Sequence, residues 1–417
     1  MDAYTLTHGP ALIGLVPHLV GYRPEDSLVL VTAHSTGPGG GQVGASLRID
    51  FGRAQAEGLD GPLLESLLAP LSHTEGADIV FPVLFSEALA SHHTRLDEAE
   101  ACGAGPDSTG PGGPDDQDED ASTARILLDG LEAVCAALDD RGLTVLAPLW
   151  AGRSECGRIG EPGSTPVAAA ETAPAVIGMI AEGSHAADSF EDLVRPPRPC
   201  AEHAAEVERM RAGGEVSDEA AADALLRAAQ ALEERVRRRE GGERAPDPLP
   251  LPEPEAVLAL DRFAARPADR DFVQMLLSGD HPAFTADGLA DMPERSFLAY
   301  ARRMVFAPGA TQALVGFSPR PPRLQALAEA VDWLRACMPY ASAEALPGVH
   351  AVLAWFEWSR MRMRFAEHYA RTALRGPEDC RLARLVLRAV QAGVPPEWAR
   401  EHSHERDPFV KRRNTVQ

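Results

Sequence analysis

The stretch "VPHLVGYRPEDSLVLV", residues 16–31, sets a histidine, an arginine, an aspartate and a serine around the corner between an apolar helix and an apolar strand. His18, Arg23, Asp26 and Ser27 could together line a polar pocket, with Arg48 and Asp50 joining them from the next strand. An imidazole near a carboxylate and a hydroxyl suits proton transfer, and two guanidinium groups suit an anionic ligand. The same residues also suit a structural corner, in which His18 satisfies a local carbonyl and Arg23 or Arg48 pairs with Asp26. Pro17 frees a backbone carbonyl four residues back, while Gly14 and Gly21 permit close approach of a second backbone or a ligand. These six residues are the ligand-binding candidates, and no catalytic residue is assigned.

Much other chemistry is excluded. Of 40 basic residues only Lys411 is a lysine, and it lies six residues from the end of the sequence. A Walker P-loop, a kinase phosphate-gripping lysine, a Schiff base and a Ser-Lys dyad all require a lysine inside a folded site. Gly39, Gly41 and Gly44 match G-x-G-x-x-G after a strand, but a second strand follows where a phosphate-binding helix belongs, so they read as a hairpin loop. His92 and His93 have no third ligand at a suitable spacing, and His402 and His404 lie in a charged tail. No H-E-x-x-H or G-x-S-x-G run is present. The six cysteines form no C-x-x-C pair, which argues for reduced thiols rather than a disulfide framework or a zinc module. Neither a metal nor a cofactor is expected.

The elements that would position the corner follow from periodicity. Leu12, Leu15, Val16, Leu19 and Val20 make one face of a helix over about 9–20 that stops at Gly21. "SLVLVTA" (27–33) is apolar on both faces, as a buried strand is, and "QVGASLRIDF" (42–51) alternates; the two are expected to form a hairpin. A helix around 61–73 precedes "DIVFPVLF" (78–85), whose Pro82 predicts an edge position or a bulge. A helix carrying Ile126, Leu127, Leu131, Val134 and Leu138 leads through Gly142 into a strand over 143–151, and another helix is expected at about 166–182. The order α-β-β-α-β-α-β-α indicates an α/β domain with a mixed sheet over 1–195. Residues 102–120 contain almost nothing apolar and are expected to form a disordered acidic insertion.

"RPPRP" (195–199) and "APDPLPLPEPE" (245–255) break the pattern, so 196–255 reads as a helix followed by a Pro-rich linker. From 256 to 417 every periodic segment is helical with short Gly/Pro turns, as in a repeat-like α-hairpin array. Leu353, Ala354, Ala366, Ala370 and Ala373 fall near the small-residue spacing of a tetratricopeptide unit. The expected architecture is therefore an α/β N-terminal domain with a mixed sheet, followed by an all-α tetratricopeptide-like helical array. In that array "AWFEWSRM" offers Trp355, Phe356 and Trp358, which cannot share one core stripe. Arg360, Arg364 and Arg371, followed by Arg381, Arg384 and Arg388, form a cationic stripe. Trp355, Trp358, Arg360, Arg364 and Arg371 are the partner-binding candidates.

A formal net charge of -22 weighs against nucleic acid and anionic membranes as partners. The apolar stretch "ALIGLVPHLV" is too short for a membrane span and lacks a basic leader, so a cytoplasmic protein is expected.

Together "LVPHLVGYRPEDSLVLV", "VGASLRIDF" and "DCRLARLVLRAVQAGVPPEW" resemble the actinobacterial family known as domain of unknown function 4192. The similarity runs from about residue 8 to residue 400, and its first and last segments are the more specific. It implies a cytoplasmic protein of a GC-rich actinobacterium, in keeping with the scarcity of lysine, and brings no activity, ligand or catalytic residue with it. Members commonly carry a compact run of cysteines after the strand at 143–151, of which "AGRSECGRIGEPGSTPVAAA" retains only Cys156. The functional expectation is a non-enzymatic protein- or peptide-binding scaffold or adaptor acting through its helical array. The alternative is a small-molecule-binding or hydrolytic α/β domain with its site at residues 18–27 and 48–50.

Overall fold

The computed structural model describes residues 9–37, 40–68, 71, 77–101, 114–181, 183–214, 216–241, 250–278, 298–300, 302–303, 308–318, 322–376 and 380–399. Gly39, His402, His404, Lys411, residues 102–113 of the acidic stretch and residues 245–249 of the proline run lie outside them. The chain divides into two compact units that meet in sequence at Arg195 and Pro196.

In the first unit, helix α1 (Gly9–Val20) precedes the antiparallel hairpin of β1 (Ser27–Gly37) and β2 (Gly40–Asp50). Helices α2 (Arg53–Glu57) and α3 (Gly61–Leu68) lead to β3 (Ile79–Phe85). The pair α4 (Glu87–Ala101) and α5 (Pro114–Asp140) then crosses to β4 (Thr144–Val145) and β5 (Leu149–Ala151). Strands β6 (Glu155–Arg158) and β7 (Thr165–Pro166) complete a mixed sheet of order β2-β1-β3-β5-β6-β7, with β4 also on β3. Helices α6 (Val167–Glu171), α7 (Pro174–Ala181) and α8 (Phe190–Val194) follow.

Period-two burial explains the layering. Leu28 and Leu30 of β1 pack with Leu84 and Trp150 against α4 and α5, whereas Val29 and Val31 pack with Val83 and Leu149 against α1 and α6. Both faces of the sheet are covered, which is why β1 and β3 read as continuous apolar runs. The Cβ that Gly14 lacks would fall 2.2 Å from the Ala170 carbonyl oxygen, so this glycine admits α6 and not a ligand.

Three expectations are corrected here. Pro82 does not mark an edge, because β3 lies between β1 and β5; its pairing runs to Val145 at Val80 and resumes with Leu149 at Val83, so the proline stands opposite the break between β4 and β5. The residue that cannot donate a ladder bond therefore occupies the gap in its neighbour. Residues 114–120 open helix α5 instead of belonging to a disordered insertion; acidic residues are favourable at a helix N-terminus. The strand expected over 143–151 is two short strands flanking Leu146–Pro148.

The second unit is helical. It contains α9 (Ala201–Ala212), α10 (Asp218–Glu240), α11 (Pro254–Ala264), α12 (Pro267–Ser278), α13 (Pro308–Leu314), α14 (Leu324–Cys337), α15 (Leu346–Ser359), α16 (Met363–Ala373) and α17 (Arg381–Gln391). Helices α9 and α10 belong to this unit. Arg211 donates to Asp261 at 2.6 Å, the Cys200 amide donates to the Tyr340 hydroxyl at 2.9 Å, and Arg235 donates to the buried Glu329 at 2.9 Å. Ala221, Leu225, Ala229, Leu232 and Val236 give α10 a narrow buried stripe whose small side chains let α11 and α14 come close.

Stacked helical pairs leave each helix an outer side, but residues 351–359 of α15 are buried without interruption, against α11, α12, α14, α16 and α17. The unit is a bundle around α15. Trp355, Phe356 and Trp358 consequently all lie inside, in different directions.

Candidate functional site

The corner at residues 16–27 is built as the sequence reading describes, a helix turned into a strand. Gly21, at φ 92°, ends α1 with its amide donating to the Pro17 carbonyl at 2.8 Å. Tyr22 bridges to Ala187, the Arg23 amide donates to the Ala187 carbonyl, and the Phe51 amide donates to the Asp26 carbonyl at 2.7 Å. Asp26 holds φ 41°, a left-handed conformation that costs a non-glycine residue about 1 kcal/mol.

The six candidate side chains separate into local pairs. The His18 Nδ1 lies 3.1 Å from the Ser184 hydroxyl, and burial, with His185 as the lesser cause, holds the imidazole below its ordinary pKa. Arg23 pairs with Glu171. Arg48 Nη2 donates to the Ser27 hydroxyl at 2.5 Å and pairs with Asp50 Oδ1 at 2.5 Å, while the Ser27 hydroxyl donates to the Glu25 carbonyl. His18, Ser27, Arg48 and Asp50 are thereby engaged within the fold.

Arg23 and Asp26 instead meet a different set of residues at a cleft of about 150 Å³. Its other walls are Ser86 and Glu87, directly after β3, and Gly152 and Arg153, directly after β5. Strands β3 and β5 are parallel, so the cleft opens at their carboxyl ends, where α/β sheets characteristically present their ligand crevices. Ser86 is buried and caps α4, accepting from the Leu89 amide at 3.4 Å. The missing Cβ of Gly152 would lie 2.5 Å from Ala90 Cβ, so glycine brings this loop against α4. At the exposed rim Arg153 Nη2 stands 3.2 Å from Glu25 and its Nε 3.9 Å from Glu87. The cleft as a whole offers two guanidinium groups, Arg23 and Arg153, and three carboxylates, Glu25, Asp26 and Glu87, beside a buried hydroxyl.

Neither the lone cysteine nor the adjacent histidines adds chemistry to this cleft. Cys156 is buried and donates to the Thr165 carbonyl, and burial, aided by Glu155, pushes its thiol up to about 11. His93 stacks on Trp150 with ring centroids 4.8 Å apart. Among the described residues no three His, Cys, Asp or Glu side chains group as metal ligands, and no helix is long and apolar enough to cross a membrane.

Residues 10–397 match the family model for Domain of unknown function (DUF4192). The chain belongs to this family. No curated protein and no solved structure matches it.

The second unit of this DUF4192 protein carries an apolar groove of about 280 Å³. One wall is Val315, Gly316 and Phe317 after α13; the floor includes Trp355 and Trp358; Leu382, Leu385, Val386 and Ala389 of α17 form the other wall. Gly316 at φ 74° is required twice, by its backbone and by the Trp358 ring 2.4 Å from where its Cβ would lie. The Trp358 indole donates to the Val394 carbonyl at 3.0 Å, and Trp398 stacks edge-on against both Trp355 and Trp358, which fixes the floor. Phe317, Leu385 and Val315 nevertheless remain exposed at 64%, 57% and 43%.

The arginines expected to grip a partner are engaged elsewhere. Arg360 donates to Glu357 at 3.2 Å, Arg371 to Glu367 at 2.7 Å, and Arg364 is half-buried with an interaction of its own. Of the five partner candidates, the structure brings Trp355 and Trp358 to the groove. Phe317 and Leu385 were not singled out by sequence, although each is a large apolar residue beyond its neighbours' core-facing pattern. Ser86, Glu87 and Arg153 were missed as well; the signal for them is their place immediately after two apolar strands joined by a helical crossover.

Proposed function

We propose that this protein is a cytosolic scaffold or adaptor whose helical unit docks a protein or peptide partner through the groove between α13 and α17. The observation that carries this reading is the juxtaposition of two buried, immobilised tryptophans with exposed Phe317 and Leu385, an aromatic floor with apolar lips. Apolar side chains of a partner entering such a recess are the usual centre of binding energy. A photo-crosslinking residue in place of Phe317 should give a discrete covalent partner in cells, and Leu385→Ala should reduce its yield about tenfold while the melting temperature holds. No crosslinked species, or one equally abundant from an exposed residue of α10, would sink the reading.

The cleft at the carboxyl ends of β3 and β5 supports a second reading, a small-molecule site in the α/β unit lined by Arg23, Asp26, Ser86 and Arg153. Thermal-shift screening of nucleotides, carboxylates and metal ions should then find a ligand whose stabilisation is lost in Arg153→Ala. A panel without any stabilising compound, or a shift that Arg153→Ala leaves intact, counts against it.

A further inference from the structure

The wall formed by α17 says more about the occupant than its apolar face does. Helix α17, "RLARLVLRAVQ", holds three arginines and no acidic residue in a chain of net charge -22. Leu382, Leu385, Val386 and Ala389 face the groove. Arg381 and Arg388 lie one turn to either side of Leu385 on the helix surface, and all three are exposed. The two arginines lie seven positions apart, about 10 Å along the helix. On the opposite wall, among the described lining residues, the one charge is Glu397, half-buried, with its amide donating to the Gly316 carbonyl at 2.9 Å.

From this asymmetry we infer that the occupant is an amphipathic helix of another protein, whose apolar face fills the groove and whose carboxylates, about two turns apart, lie along the α17 side. The inference rests on the docking reading above and adds the partner's chemistry to it. A concave recess of about 280 Å³ takes the side chains of a helix, whereas a membrane presents a broad surface that such a recess does not match. The Arg381 and Arg388 guanidinium groups are exposed, so their contribution lies in orientation and rate of capture and is sensitive to salt.

The test uses the full chain and three labelled peptides of about 15 residues, sharing one Leu/Phe face and carrying Glu, Gln or Lys along one flank. Fluorescence anisotropy at low salt should show the Glu peptide binding at least about tenfold tighter than the Gln peptide, an advantage that added salt erodes. Arg381→Glu with Arg388→Glu should transfer the preference to the Lys peptide without moving the melting temperature. Equal affinities for all three peptides, lost together in Leu385→Ala, would overturn the acidic-partner inference and leave the groove as a docking site. Binding by none of them would overturn both. Concentration-dependent dimerisation abolished by Leu385→Ala would assign the groove to a second copy, and binding to phosphatidylserine vesicles without peptide binding would assign it to a membrane; either outcome overturns the inference.

Discussion

Replacing Gly348 by alanine is expected to destabilise the helical unit by about 3 kcal/mol, and by valine to prevent its folding. Gly348 lies in the first turn of α15, where that helix crosses the end of α11. A Cβ at this position would stand 1.9 Å from the Ala264 carbonyl oxygen and 2.7 Å from its carbonyl carbon. Both are backbone atoms, so no rotamer change can make room, and one helix must move against a close-packed core. The central position of α15 spreads that displacement to the helices around it. A control comes from Gly309 in α13, where an added Cβ meets nothing within 4 Å; alanine there should be neutral or stabilising by up to about 1 kcal/mol. Four of the five tryptophans, at 333, 355, 358 and 398, belong to the second unit, so tryptophan emission during urea unfolding reports chiefly on it. A Gly348→Ala protein that unfolds at the wild-type midpoint would show that α11 and α15 do not approach as described.

The contrast between these two glycines is invisible in sequence, where both precede ordinary helical patterns. What was legible follows the same division between local and non-local information. The hairpin of β1 and β2 can be read from the alternation of β2 beside the unbroken apolar run of β1, and that run marks burial on both faces, because the side-chain period of a strand is imposed by its own backbone. The stop at Gly21 can be read for a similar reason, since a left-handed cap needs glycine whatever surrounds it. Pro82 was misplaced because the rule that proline avoids central strands holds only while both neighbours are continuous, and the break between Val145 and Leu149 belongs to another strand. The 218–240 helix looks solvated by composition, yet its alanines are a packing surface, and nothing local distinguishes an alanine under a helix from one under water.

The candidate site divides in the same way. Arg23 and Asp26 were found because they flank a turn with visible chemistry, but their cleft neighbours Ser86 and Arg153 are about 60 and 130 residues away in sequence and arrive through the parallel pairing of β3 with β5. Ser27 and Arg48, in contrast, form a bond that the hairpin register alone supplies, with Ser27 opposite Asp50 and Val29 opposite Arg48. The cationic stripe was half legible: periodicity locates the arginines, and only the fold shows that Arg360 and Arg371 answer carboxylates while Arg381 and Arg388 face outward.

Removing the Glu357 carboxylate should cost the helical unit roughly 3–5 kcal/mol, as loss of one member of a buried ion cluster does. Glu357 is 1% exposed in the fully enclosed part of α15, and Arg360 at 3.2 Å and Arg362 at 3.5 Å donate to its two oxygens. Glu357→Ala leaves both guanidinium groups without their acceptor and adds a cavity, so it should be the more damaging variant. Glu357→Gln keeps the volume and one acceptor oxygen and should cost less. Burial holds the Glu357 carboxyl above its ordinary value of 4.5, outweighing the attraction of Arg362 and Arg360. A carboxyl raised on folding contributes stability below about pH 4.5 that is lost as pH climbs through the raised value. The glutamine side chain does not titrate, so the deficit of Glu357→Gln relative to wild type should be largest near pH 4.5 and narrow toward neutrality. Urea titrations across that range, read by tryptophan emission, measure the gap directly. A deficit that widens with pH would mean that the arginines stabilise the ionised carboxylate by more than its burial costs, and that the cluster acts as a net electrostatic clamp on α15.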